Sequence, residues 1–199
     1  MLLPTLVARA RALAAPGERA VLGITGPPGA GKSTLAAALS KQAGAVLVPM
    51  DGFHLADSEL TRLGRAERKG APDTFDSAGY VALLRRLLAR EDVYAPVFRR
   101  ELELAEAGAL AVPGDAPLVV TEGNYLLCDG PFEPVRGLLT ECWYVDLDPA
   151  VRLERLVARH VAHGRPPAAA LAWAGGTDER NAVLVAATRG RADLVVQGS

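Results

Sequence analysis

Cysteine is scarce: of 199 residues only Cys128 and Cys142 carry a thiol. Two thiols cannot form the disulfide framework of a small secreted domain, so both read as reduced core residues of a cytosolic protein. Aromatic residues are few, at 5%. Charge of neither sign prevails, with 22 basic against 23 acidic side chains and a formal net charge of −1. Such a chain lacks both the electrostatic footprint and the stacking platforms of a nucleic-acid binder, and has no general attraction to anionic membrane. No stretch reaches the ~18 consecutive apolar residues that a membrane span needs. The N-terminal MLLPTLVARARALAAPGE lacks a basic n-region, and Arg9 and Arg11 interrupt any apolar core. A secretory signal is therefore not expected, and a short amphipathic helix accounts for the segment. The expectation is a soluble, cytoplasmic chain.

What is present is half apolar residues, enough for a sizeable core, with no repeat or linker to split it. One domain spanning 1–199 is expected. Apolar runs alternate with helical patterns. Ala20–Thr25, Ala45–Met50, Leu118–Thr121, Cys142–Leu147 and Asp193–Val196 read as strands. Helices are expected near the N-terminus and over Lys32–Gln42, Ser77–Arg90, Ala150–Ala162, Ala168–Trp173 and Thr177–Arg189, the second ending near Gly44 as a C-cap. Asp51–Phe75 reads as a charged functional loop holding a short helix, and Val93–Val112 as a small strand pair outside the main sheet. The alternation predicts an α/β fold with a parallel sheet between helices, ligands binding at the carboxyl ends of the strands. Trp143 and Trp173 suit a core or an interface equally, which leaves monomer and homodimer both open.

The most specific motif is Gly26-Pro27-Pro28-Gly29-Ala30-Gly31-Lys32-Ser33, followed by Thr34. It fits G-x-x-x-x-G-K-[ST] and lies between a buried strand and a helix, the context a phosphate-binding loop requires. Its glycines let successive N–H groups turn inward around phosphate oxygens, and the helix presents its N-terminus to the anion. Lys32 can reach the β- and γ-phosphates of ATP, and Ser33 can ligate Mg²⁺. Asp51 follows the second strand, where a carboxylate can accept a proton from a substrate hydroxyl, and His54 can line the acceptor pocket. Glu122 ends the hydrophobic strand LVVTE, the position of a second acid near Mg²⁺. Arg152, Arg155 and Arg159 share one face of a predicted helix, a candidate for stabilising phosphate charge. His160 and His163 are three apart but lack a third ligand, which argues against a metal.

Together the segments GPPGAGKST, MDGFHLAD, LTRLGRAERKGAPDTFD, VYAPVF, VVTEGNYLL, WYVDLDP and WAGGTDERNAVLVAATRGRADLVV resemble the P-loop kinase group of uridine kinases, phosphoribulokinases and type I pantothenate kinases. The likeness is greatest to small relatives of the pantothenate-kinase branch and runs from about Val21 to the end. The resemblance implies a three-layer P-loop kinase fold, with a helical lid at about 150–175. It implies that Asp51 is the catalytic carboxylate, Glu122 a second acid near magnesium, Arg159 the lid arginine that meets the transferred phosphate, and Asn181 an asparagine near the acceptor. His54, Phe98, Arg100, Asn124 and Tyr125 are placed beside the acceptor on the same ground. Two departures stand out. Phe98 and then Arg99-Arg100 replace the Tyr and His that pantothenate kinases carry after Ala-Pro-Val, and Leu156 replaces a lid tyrosine. Both imply a different acceptor, more anionic or more polyhydroxylated. The resulting expectation is a kinase transferring the γ-phosphate of ATP to a hydroxyl of a nucleoside, sugar or pantothenate-like compound. The alternative is a P-loop NTPase acting as a switch or accessory protein. Its guanine-reading version is disfavoured, since neither Asn124 nor Asn181 begins an Asn-Lys-x-Asp element.

Overall fold

A computed structural model describes residues 1–14 and 17–198. Five strands, β1 (Ala20–Thr25), β2 (Val46–Pro49), β5 (Leu118–Glu122), β6 (Glu141–Asp146) and β7 (Leu194–Gln197), form one sheet in the order β2-β5-β1-β6-β7. Every pairing in it is parallel. All residues of β1 and β5 are buried, as expected of central strands covered on both faces, and their apolar runs follow from that. On one face Leu22, Ile24, Val120 and Trp143 pack against Leu6, Val7 and Ala10 of α1 (Leu3–Leu13) and Ala36 and Leu39 of α2 (Lys32–Ala43). On the other, Val21, Val119 and Tyr144 meet Leu84 and Leu87 of α4 (Ser77–Leu88), Val185 of α8 (Glu179–Ala186) and Leu126–Leu139, which includes the short α5 (Glu133–Arg136). The layers are helix, sheet, helix.

Local chemistry sets the element ends. Gly44 takes the left-handed conformation and closes α2 by donating to Ser40 O, as a C-cap glycine does. Asp76 caps α4 through the Gly79 N–H, and Asp148 caps α6 (Pro149–Ala162) through the N–H groups of Ala150 and Val151. The expected loop over Asp51–Phe75 contains α3 (Asp57–Arg62) and 3₁₀ turns at Met50–Phe53, Ala66–Arg68 and Pro72–Thr74. The expected strand pair is an antiparallel hairpin, β3 (Val93–Arg99) with β4 (Leu104–Val112), its register shifting between Ala95 and Val97 around Pro96. Proline has no N–H for the ladder, so an irregularity belongs there.

The continuous helix expected over Thr177–Arg189 is not observed. After α7 (Pro167–Trp173) the chain forms a π turn over Ala174–Asp178, then α8, then a 3₁₀ turn at Arg189–Arg191. Gly175-Gly176 weakens regular α-helix there, and π turns of this kind gather at functional sites. Trp143 is fully buried core, whereas Trp173 is half-buried beside a cleft. No helix among the described residues is long and apolar enough to cross a membrane.

Candidate active site

The carboxyl ends of β1, β2 and β5 open into a cleft of about 750 Å³. From β1 the chain enters the glycine-rich loop, in which Gly29 (φ +84°) and Gly31 (φ +98°) are left-handed. At Gly29 a Cβ would lie 2.8 Å from Leu156 Cγ and 3.0 Å from Arg152 O, so only glycine lets α6 pack this closely. Pro27 O accepts the Ala30 N–H at 3.1 Å and the Lys32 ammonium at 3.0 Å. The Ala30 amide is thus engaged within the loop. Lys32 is buried, and burial pushes its ammonium down to about 8 against the pull of Glu122 and Asp51. Gly26, Pro27 and Ala30 are buried, while Gly29, Gly31, Lys32, Ser33 and Thr34 line a second hollow of about 310 Å³ with Arg100, Arg155 and Arg159.

Ser33 Oγ donates to Glu122 Oε1 at 3.0 Å. Glu122 is buried at the end of β5, and burial followed by the nearby Asp51 charge raises its carboxyl above the ordinary value. A buried carboxylate held above its usual range beside a hydroxyl gains from a divalent cation. Mg²⁺ also takes few protein oxygens and keeps several waters. The donor set therefore fits it. Among the described residues no three His, Cys, Asp or Glu cluster as a cage for a metal.

Asp51 occupies the 3₁₀ turn that follows β2, with its Oδ2 3.2 Å from Arg100 Nη2. His54 Nδ1–H donates to the Asp51 backbone carbonyl at 2.8 Å, since a carbonyl can only accept. Burial lowers the His54 pKa and keeps the ring neutral, leaving Nε2 as an acceptor. The ring packs between Phe75 at 4.0 Å and Phe98 at 4.8 Å. Gly52 is a close approach that context alone does not reveal. A Cβ there would meet Pro96 O at 2.2 Å and its carbonyl carbon at 2.7 Å, both backbone atoms of the hairpin. We expect Gly52→Ala to force hairpin and Asp51 turn apart, costing about 1–3 kcal/mol by overpacking. Urea denaturation measures the loss, and turnover should fall with ATP affinity retained.

Lys32, Ser33, Asp51, His54, Phe98, Arg100, Glu122, Asn124, Arg159 and Asn181 all line the main cleft. Tyr125 does not line it. Its ring is fully buried against Phe75 and Phe132, and its hydroxyl donates to Gly70 O, which also accepts Asn181 Nδ2 at 3.2 Å. The arginine stripe of α6 divides. Arg152 is buried beneath the glycine-rich loop, donating to Pro28 O and paired with Glu179, while Arg155 and Arg159 face the smaller hollow. His160 pairs with Asp178 of the π turn at 2.7 Å, which accounts for it without a metal. Residues that sequence reasoning missed also line the cleft, among them Lys69, Asp57, Glu103, Arg165 and Trp173. The Arg165 guanidinium stacks on Trp173 at 4.2 Å. The WAGG and RAERKG segments held the only hint of these.

Comparison with known proteins follows the same outline. The profile of the "Phosphoribulokinase / Uridine kinase family" matches residues 21–197. The "Uncharacterized protein YggC" of Escherichia coli is 33% identical over 192 residues, covering 92% of this chain and 79% of its own. A Schizosaccharomyces pombe protein named "Putative uridine kinase" is 32% identical over 161 residues, covering 74% of this chain and 68% of its own. Among solved structures, a "putative fructose transport system kinase" from Silicibacter sp. superposes with a TM-score of 0.90 at 36% identity, covering 98% of this chain and 99% of that one.

Proposed function

We propose, since this chain belongs to the phosphoribulokinase / uridine kinase family of ATP-dependent P-loop kinases, that it phosphorylates a hydroxyl of a small molecule. The observation that carries this reading is one cleft joining Lys32, Ser33 and Glu122 to Asp51. A hydrolytic switch needs only the first three. A second carboxylate in the same cleft supplies what an alcohol acceptor needs.

In this reading the N–H groups of Gly29, Gly31, Lys32 and Ser33, with the Lys32 ammonium, hold the triphosphate at the N-terminus of α2. Ser33 and Glu122 would hold Mg²⁺, which would offset the charge of the phosphates. Asp51 orients the acceptor hydroxyl and takes its proton as the oxygen bonds to the γ-phosphorus. The bond from that phosphorus to the bridging oxygen breaks, ADP keeps the electron pair, and the proton on Asp51 passes to solvent. Arg159 neutralises charge on the moving phosphoryl group. His54, Phe98, Asn124 and Asn181 shape the acceptor pocket, with Tyr125 positioning Gly70 behind Asn181. We place a lid at α6 and α7, about residues 150–175, excluding water when it closes.

The reading is tested by ADP release from Mg·ATP with nucleosides, sugars, polyols and pantothenate, beside a control without acceptor. One compound raising turnover well above the control supports a kinase and names its acceptor class. Equal, slow release with every compound favours the switch or accessory NTPase instead.

A further inference from the structure

Two spaces adjoin at the carboxyl end of the sheet: the main cleft with Asp51, and the smaller hollow lined by the glycine-rich loop. Lys32, Ser33, Arg100 and Arg159 line both. A phosphoryl group passing from a nucleotide on that loop to an acceptor beside Asp51 crosses the junction these four side chains form. Lys32, Ser33 and Arg159 have phosphate or magnesium roles in the reading above. Arg100, which follows β3 at the tip of the hairpin, has none.

The fold holds Arg100 at this junction. Its Nη2 donates to Asp51 Oδ2 at 3.2 Å. The tip is braced by Lys69, whose Nζ pairs with Asp57 at 2.6 Å, donates to Glu103 O at 2.8 Å and lies 5.5 Å from the Phe98 ring centroid. Glu101, beside Arg100 in sequence, is exposed and lines neither space. The contact with Asp51 engages one of five guanidinium N–H groups, so the same side chain can hold Asp51 and a phosphoryl oxygen together. The junction is also crowded with positive charge. Burial first and the Arg100 charge second hold Arg159 below its ordinary value, and burial, Arg159 and Arg100 all lower Lys32. A phosphate set among these cations relieves their repulsion, and partial burial enlarges the gain.

We infer that Arg100 is a catalytic residue of the donor side, its guanidinium holding the γ-phosphoryl group as it leaves ADP and tying that group to Asp51. The bond to the bridging oxygen breaks with its electron pair left on ADP, and the acceptor oxygen bonds to phosphorus as Asp51 takes its proton. Arg100 forms no covalent bond and keeps its protons throughout. Charge on the moving group is then met by arginines from two separate elements, Arg159 of α6 and Arg100 of the hairpin. The inference rests on the kinase reading, but its binding test needs no acceptor.

Calorimetric titration with Mg²⁺ and either the β,γ-imido analogue of ATP or ADP isolates the γ-phosphate contact. R100A should weaken the analogue by about tenfold or more, the scale of a charge-assisted hydrogen bond, with ADP affinity within about twofold of wild type. R100K should keep part of the difference, since lysine retains the charge without the fork. R99A removes the neighbouring charge, which is paired with Glu106, and should leave both affinities within about twofold. Unchanged ADP binding and thermal melting establish that each variant is folded. With an acceptor identified by ADP release, R100A should lower kcat by about 10²–10³ and move the acceptor KM by less than about threefold. Analogue binding that survives in R100A, falls together with ADP binding, or falls equally in R99A overturns the inference and leaves the kinase reading standing. A defect confined to acceptor KM does the same. No acceptor-dependent release from wild type overturns the kinase reading, and the transfer role of Arg100 with it.

Discussion

Replacing Asp51 with Asn lowers kcat by about 10²–10⁴, the usual contribution of a positioned general base, while ATP affinity stays within about twofold of wild type. The amide has the volume of the carboxylate and can still accept from Arg100, so the turn after β2 survives. What it cannot do is take a proton at neutral pH. ATP binding persists because the glycine-rich loop is built by β1 and α2, and no hydrogen bond joins Asp51 to it among the contacts of the described residues. Steady-state turnover and calorimetric titration of ATP measure the two effects separately. Full turnover in D51N would show that the carboxylate is not the base.

The second large effect concerns Lys32. Its ammonium, pushed down to about 8 chiefly by burial, must be charged to hold phosphate. Phosphates beside it would raise its pKa, so binding is accompanied by proton uptake wherever the ligand-free lysine is neutral. Affinity for ATP in EDTA should therefore be flat below about pH 7 and weaken by up to tenfold per unit above about pH 8, one proton's worth of linkage. Lys32→Met should remove that dependence and lower kcat/KM by about 10²–10³, the cost of losing one preorganised charge-stabilising donor. Stability moves the other way. With the folded value near 8 and the free value at 10.5, the unfolded chain binds more protons between those limits, so ligand-free stability rises with pH through that window. At neutral pH the buried ammonium opposes folding, and K32M should melt no lower than wild type. The residue trades stability for function, a frequent property of binding sites. A pH-independent ATP affinity in wild type would contradict this account of Lys32.

Legibility of the fold and site followed sequence distance. The place of the glycine-rich loop was readable because its residues are consecutive, between a strand and a helix. Asp51 and Glu122 were readable because each ends an apolar run, and parallel strands deliver their C-termini to one rim. The contact between Arg100 and Asp51 was not, since only the fold-back of a hairpin outside the main sheet creates it. Nor was the position of Lys69, whose partners come from α3 and the hairpin tip. Tyr125 lies two residues past a rim carboxylate yet turns into the core, because residues leaving a strand end can face either way. The π turn at Ala174–Asp178 was missed because helical periodicity registers apolar spacing and not a one-residue change in hydrogen-bond register.

The most direct measurement is phosphorus NMR of the protein with Mg·ATP and its best acceptor, followed to completion. Transfer to an alcohol by way of Asp51 predicts a new phosphomonoester resonance growing in step with ADP, with little inorganic phosphate, and its near-disappearance in D51N. ADP accompanied only by inorganic phosphate, at the same rate with and without acceptor, would contradict the account.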